Sequence, residues 1–134
     1  MEHRAAVVVR PEQAPGAEVA RSRGARMAVL IGAEQGAPNF VTRRFLLEPG
    51  GSIPAHLHPS IEHEQVVVRG EMDLTIDGTV RTVRAGDAVY LPSGCAHAYA
   101  NRGSEPVEFI CVIPLTAGYE TEWLEDPPPG PFTG

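Results

Sequence analysis

No stretch of this 134-residue chain sustains a helical apolar period through three turns, so long helices are excluded as its main elements. No Lys/Arg cluster breaks the formal net charge of -6, which leaves no electrostatic footprint for a nucleic-acid backbone or an anionic lipid surface. The longest apolar runs, such as Val66 to Val68 and Phe109 to Ile113, fall far short of the roughly 20 residues needed to cross a bilayer. The N-terminus carries charges within its first four residues and no apolar run before a small-residue cleavage site, which reads as a cytoplasmic chain. Two cysteines, Cys95 and Cys111, lack the paired spacing of a zinc ribbon or redox motif, and are too few for a disulfide scaffold; both are expected as reduced thiols. Nor is there a Gly-x-Ser-x-Gly elbow, a Walker loop or a recognisable carboxylate pair.

What the chain does have is glycine (14) and proline (13), enough to make turns frequent and strands short. Runs rich in β-branched residues between turn signals predict strands at Ala5–Val9, Met27–Ile31, Phe40–Leu47, Gln65–Arg69, Met72–Ile76, Thr79–Val83, Ala88–Leu91, His97–Ala100 and Val107–Ile113. Asp77-Gly78 between two alternating runs is a strong signal for a tight hairpin. Residues 10–26 are polar with Pro and Gly, and read as a surface excursion between the first strand and the rest. The organisation expected is one all-β domain over residues 1–125 and a flexible Pro/Gly-rich tail over 126–134. Strand spacing alone leaves sandwich and barrel open, a jelly roll being one solution.

The chemistry concentrates in histidine. Four of five fall in two patches: His56, His58 and His63, then His97; only His3 stands apart. Two histidines at i and i+2 on a strand share a face, as chelation of one ion requires, although an isolated His-x-His in a β protein is more often incidental. The surrounding residues decide the matter. Gly50 begins a run reaching His56, His58 and Gly70, and Gly86 begins a second that places Pro92, Gly94, His97 and Asn101 at fixed offsets.

These segments, 50–70 and 86–101, resemble the two cupin motifs, G-x5-H-x-H-x(3,4)-E-x6-G and G-x5-P-x-G-x2-H-x3-N, the second at every fixed position. Five such matches in register arise by chance on the order of once in ten thousand sequences, so coincidence is a poor account of them. In the first motif, counting back from Gly70 puts His63 where the family usually has a glutamate. The chain is therefore similar to the small single-domain four-histidine manganese cupins. That similarity extends over VLIG, APNFVTRRF and EPGG before the first motif and EFICVIP after the second, across roughly residues 27–114. Glu62 or Glu64 is the alternative ligand if the loop after Pro59 shifts register by one; strand alternation favours His63, because 62 and 64 share the opposite face.

The resemblance implies a double-stranded β-helix (jelly-roll) barrel, one divalent ion per chain with Mn or Fe ahead of Zn, Ni or Cu, and a homodimer with no nucleic-acid or membrane partner. It turns Arg43, rather than Arg44, toward the barrel interior, and puts Phe109 and Cys111 at the pocket wall with Tyr99 within reach. An arginine pairing with an interior carboxylate, and ordinary core packing of Phe109 and Cys111, are the competing readings. Four neutral imidazoles leave a divalent ion with its charge uncompensated and with open positions, suited to binding a small molecule through its oxygens. The functional expectation is a metal-dependent oxygenase acting on a small molecule. The alternatives are a cupin isomerase or cyclase, and a non-catalytic metal or ligand binding module.

Overall fold

The computed structural model describes residues 5–116, 118–127, 130 and 132. His3 lies outside the described residues, as do 128, 129, 131, 133 and 134 of the tail. Ten strands form: β1 (Ala17–Glu18), β2 (Arg23–Ile31), β3 (Phe40–Leu57), β4 (His63–Arg69), β5 (Glu71–Ile76), β6 (Thr79–Arg84), β7 (Ala88–Leu91), β8 (His97–Ala100), β9 (Val107–Pro114) and β10 (Glu122–Trp123). The only helical pieces among the described residues are single 3-10 turns at Pro11–Gln13 and Ala33–Gln35.

All pairings are antiparallel, and the strands join one curled sheet in the order β6-β5-β8-β3-β9-β4-β7, with β2 and β10 also on β3 and β1 on β2. The curl depends on β3, which is long enough to serve both walls. Its first half pairs with β9 and its second with β8. Between them Gly50 adopts a φ of 81, and a Cβ on Gly51 would lie 2.8 Å from the carbonyl oxygens of Glu48 and Gly24, so only glycine passes there. Asn101 clamps the bend. Its backbone bonds Gly50 and Gly51, and its buried side-chain amide donates to the Leu47 and Glu105 carbonyls.

The β5–β6 hairpin closes on Asp77-Gly78 with φ of 47 and 84, two left-handed residues as a type I′ turn requires. Alternation sets the core: Val107, Phe109, Cys111 and Ile113 of β9 point in, against Leu47, Val67, Leu74 and Met72. Phe109 is sandwiched, stacked on Phe45 (centroids 4.9 Å) and on Tyr99 (5.1 Å), which adds ring-ring attraction to its burial.

Two expectations fail at the N-terminal end. Ala5–Val9 forms no strand; Val7 and Val8 are exposed, because β propensity without a partner edge or a buried face does not hold a strand. Residues 10–26 are not a plain excursion: Arg23–Arg26 begins β2, and Ala17–Glu18 pairs back onto Arg26 and Met27. The long β3 edge offers hydrogen bonds that a polar composition did not advertise.

Candidate metal centre

The two halves of the sheet bring the four motif histidines to one place. His56 and His58 leave the end of β3 on the same face, His97 opens β8 directly opposite His56, and His63 opens β4. All four are buried. The ring centroids of His56 and His97 are 4.3 Å apart, those of His56 and His58 5.1 Å, and His63 lies 4.8 Å from His58 and 5.5 Å from His97.

Hydrogen bonds fix which nitrogen each ring offers. Nδ1 of His56 meets the Pro54 carbonyl at 2.8 Å, that of His58 the Glu120 carbonyl at 3.0 Å, and that of His97 the Cys95 carbonyl at 2.9 Å. A carbonyl can only accept, so each Nδ1 holds the proton and each Nε2 keeps its lone pair. Ligand atoms of these three rings lie within 4.8 Å of one another. Backbone-anchored imidazoles with converging lone pairs are the arrangement a divalent transition metal requires. His63 adds a fourth buried ring beside them, whereas Glu62 and Glu64 are exposed and Glu62 accepts a hydrogen bond from Tyr90 on the outer face.

The electrostatics agree with neutral ligands. Burial pushes all four histidine pKa values down, aided by the neighbouring histidines and Arg43: His63 to about 3, His97 to about 4. The backbone acceptors of His56, His58 and His97 pull the other way without prevailing.

The rings open onto a cavity of about 260 Å³. Arg43 lies at its wall, as expected, and Arg44 points outward to Glu108 at 3.6 Å. Among the described residues Arg43 does not pair with a carboxylate. Its Nη2 donates to Cys111 Sγ (3.2 Å) and its Nη1 to the Tyr119 hydroxyl (3.3 Å), and the guanidinium lies 5.1 Å from the Phe45 ring. Burial alone would lower its pKa, but the thiol and phenol outweigh that and raise it. Tyr99 also lines the cavity; it receives a 2.6 Å hydrogen bond from Gln65, and burial drives its pKa well upward.

Phe109 and Cys111 face inward but do not form the cavity wall. They are 1% and 0% exposed, one layer back, with Phe45 and Tyr99 stacked over Phe109 and Arg43 and Gln65 bonded to Cys111. Cys95 does not line the cavity: its carbonyl holds His97, and its thiol lies 3.7 Å from Asp77; burial raises its pKa and Asp77 adds to this. Both cysteines are free.

Sequence reasoning missed several wall residues. Gln65 was legible, since it stands two residues after His63 on the same face of β4. Tyr119, Thr121 and Trp123 carried no strand signal, yet the Thr121 hydroxyl sits 3.2 Å from His58 Nδ1 and the Trp123 ring lies 4.9 Å from His56. From the N-terminal side, Ala17 to Ala20 and Met27 complete the wall.

Comparison with known proteins agrees with this arrangement. The chain resembles the polyketide cyclase RemF of Streptomyces resistomycificus, with 27% identity and a TM-score of 0.82 over 92% of this chain and 90% of that one. It also resembles a predicted oxalate decarboxylase of Thermotoga maritima, with 27% identity and a TM-score of 0.72 over 82% of this chain and the whole of the other. Among curated proteins, it is 28% identical over 71 residues to mannose-1-phosphate guanylyltransferase of Escherichia coli and 35% identical over 69 residues to oxalate decarboxylase OxdC of Bacillus subtilis. These matches span only 15% and 18% of those proteins. Among the described residues no helix is long and apolar enough to cross a membrane. The sequence profile of the cupin domain matches residues 43–113, a little over half the chain and the part that supplies all four histidines, and the protein belongs to the cupin family.

Proposed function

We propose that this chain is a metal-dependent enzyme acting on a small oxygen-bearing organic molecule, with one divalent ion held by His56, His58, His63 and His97. The observation that carries the reading is the set of three buried imidazoles that line one cavity, with Nδ1 pinned to backbone carbonyls and ligand atoms within 4.8 Å of one another. His63 is proposed as the fourth ligand because it is the buried member of the Glu62-His63-Glu64 run. Mn or Fe heads the list of occupants by resemblance, and imidazole donors also suit Zn, Ni and Cu. When bound, the ion supplies Lewis acidity toward a carbonyl or enol oxygen.

The chain's own residues supply the rest. The cavity lies just below the ~300–1,000 Å³ of typical ligand pockets, which limits the substrate to a small molecule. Phe45, Tyr99 and Trp123 offer flat apolar walls, Arg43 brings a buried positive charge, and the Gln65 Oε1 has no hydrogen-bond partner among the described residues. Among reaction classes we favour a non-redox cyclisation or isomerisation, supported by the near full-length likeness to a polyketide cyclase. The second reading is the oxygenase expected from the sequence, favoured by an all-imidazole donor set that accepts iron. The cytoplasmic setting belongs to the same proposal, supported by two unpaired thiols. So does the homodimer, supported by Val66, Val68 and Tyr90 left about half exposed on the outer face of β4 and β7.

The test is turnover by metal-loaded protein of enolisable polyketones, hydroxy acids and diketones, with oxygen uptake followed in parallel. Oxygen-independent product formation is expected. Stoichiometric oxygen consumption selects the oxygenase, and no turnover of any class selects the binding module.

A further inference from the structure

The family match ends at residue 113, but a polar group within hydrogen-bond distance of a histidine Nε2 in the cavity comes from beyond it. Tyr119 stands at the cavity mouth, the residue 44% exposed and its ring 4.8 Å from the His58 ring, with its hydroxyl turned inward. That oxygen lies 3.3 Å from His58 Nε2 and 3.3 Å from Arg43 Nη1. Arg43 can only donate, so the phenol oxygen accepts from it and its own proton is free to point elsewhere. In the structure the available acceptor is Nε2 of His58, because Nδ1 of that ring is engaged by Glu120 and Thr121. This Nε2 is the lone pair the functional reading gives to an ion. Once it is so used, the Tyr119 O–H needs another acceptor within hydrogen-bond reach of the same point, and an oxygen of the bound substrate is the group that would be there.

The charge pattern says what kind of oxygen. The imidazoles are neutral, the cavity's one acidic lining residue, Glu18, is exposed on β1, and Arg43 is buried with a thiol and a phenol as its hydrogen-bond partners and no ion pair among the described residues. A buried cation without a carboxylate is costly, and among the described residues the Arg43 Nε and Gln65 Oε1 are both left without partners. A negatively charged oxygen entering this cavity relieves the first deficit.

We propose that Tyr119 is a substrate-contacting residue, its hydroxyl oriented by Arg43 to hydrogen-bond an anionic oxygen (carboxylate, enolate or hydroxamate) held at the metal centre. The inference rests on the functional reading above. It adds a specificity determinant from the C-terminal segment, outside the two motifs that supply the histidines.

The experiment uses full-length protein loaded with Co(II) and titrated with acetohydroxamate, a bidentate anion, followed by the visible spectrum and by calorimetry. Wild type should saturate. Tyr119→Phe, which keeps the ring and removes only the hydroxyl, should hold Co(II) as wild type does but bind acetohydroxamate on the order of tenfold or more weakly, as for a lost hydrogen bond to a charged group. Neutral imidazole as the probe should bind both proteins alike. Equal acetohydroxamate affinity in the two proteins, with wild type binding normally, overturns the Tyr119 assignment alone. Loss of Co(II) from Tyr119→Phe also overturns it, by making the residue a support of the metal site. Wild-type protein that holds Co(II) and binds neither probe overturns the functional reading and this inference with it.

Discussion

Lowering the pH should destabilise the metal-free protein through its histidines. His63 and His97 are neutral in the fold down to about pH 3 and 4, because burial excludes the charged form and their neighbours repel it. In the unfolded chain the same side chains protonate near their ordinary value of about 6.5. Below that value the unfolded state binds more protons than the native one, so stability is full above about pH 6.5 and is lost as the pH falls toward the folded values. Between about pH 7 and pH 5 each such histidine removes about 2 kcal/mol, and the pair about 4 kcal/mol, against a typical total of ~5–15 kcal/mol. The assay is urea unfolding of chelator-treated protein at the two pH values, with His63→Asn alongside to separate the histidine contribution from that of carboxylates. His63→Asn should show a drop smaller by about 2 kcal/mol than the parent. A parent protein with the same stability at both pH values, or a variant with an undiminished drop, refutes the burial of neutral imidazoles.

Other consequences are more local. Phe109→Ala removes the buried middle ring of a three-ring stack and should cost about 3–5 kcal/mol, read as a lower urea midpoint with the metal site still assembled. His63→Ala should weaken metal retention far more than Glu62→Gln or Glu64→Gln, measured by competition with a chromogenic chelator; a glutamate variant as the damaging one returns the site to three histidines and a carboxylate. Cys111 and Cys95, 0% and 7% exposed, should react slowly with a thiol reagent in the native protein and fully once it is unfolded.

β7 and β8 were legible because each had both a local signal and a buried face, whereas the second half of β3, which carries His56, runs on to Leu57 past the expected end at Leu47, and β4 opens at His63 rather than Gln65. Ala88–Leu91 and His97–Ala100 appear with the bounds that the turn residues around them suggested. His56, His58 and His97 were legible for a different reason, since fixed offsets from turn glycines determine where a strand ends and which face its last residues show. Ala5–Val9 had the local signal without a partner, and nothing local reports the absence of an edge. The placement of Phe109 and Cys111 behind the cavity could not be read from alternation, which gives the face but not the depth. Depth depends on which longer side chains, here Arg43, Gln65 and Tyr99, reach past them. Tyr119, Thr121 and Trp123 were invisible because their segment is held by tertiary contacts: a two-residue pairing with β3 and the bond from the Ala55 amide to Glu125.

The most direct measurement of the central claim is metal content. Purified protein should carry about one divalent ion per chain, and His58→Ala and His97→Ala should each lose most of it while the barrel's circular dichroism persists, since the apolar core stands without the ion. Wild-type protein that carries no metal, and shows no affinity for Mn, Fe or Zn on titration, would contradict the account.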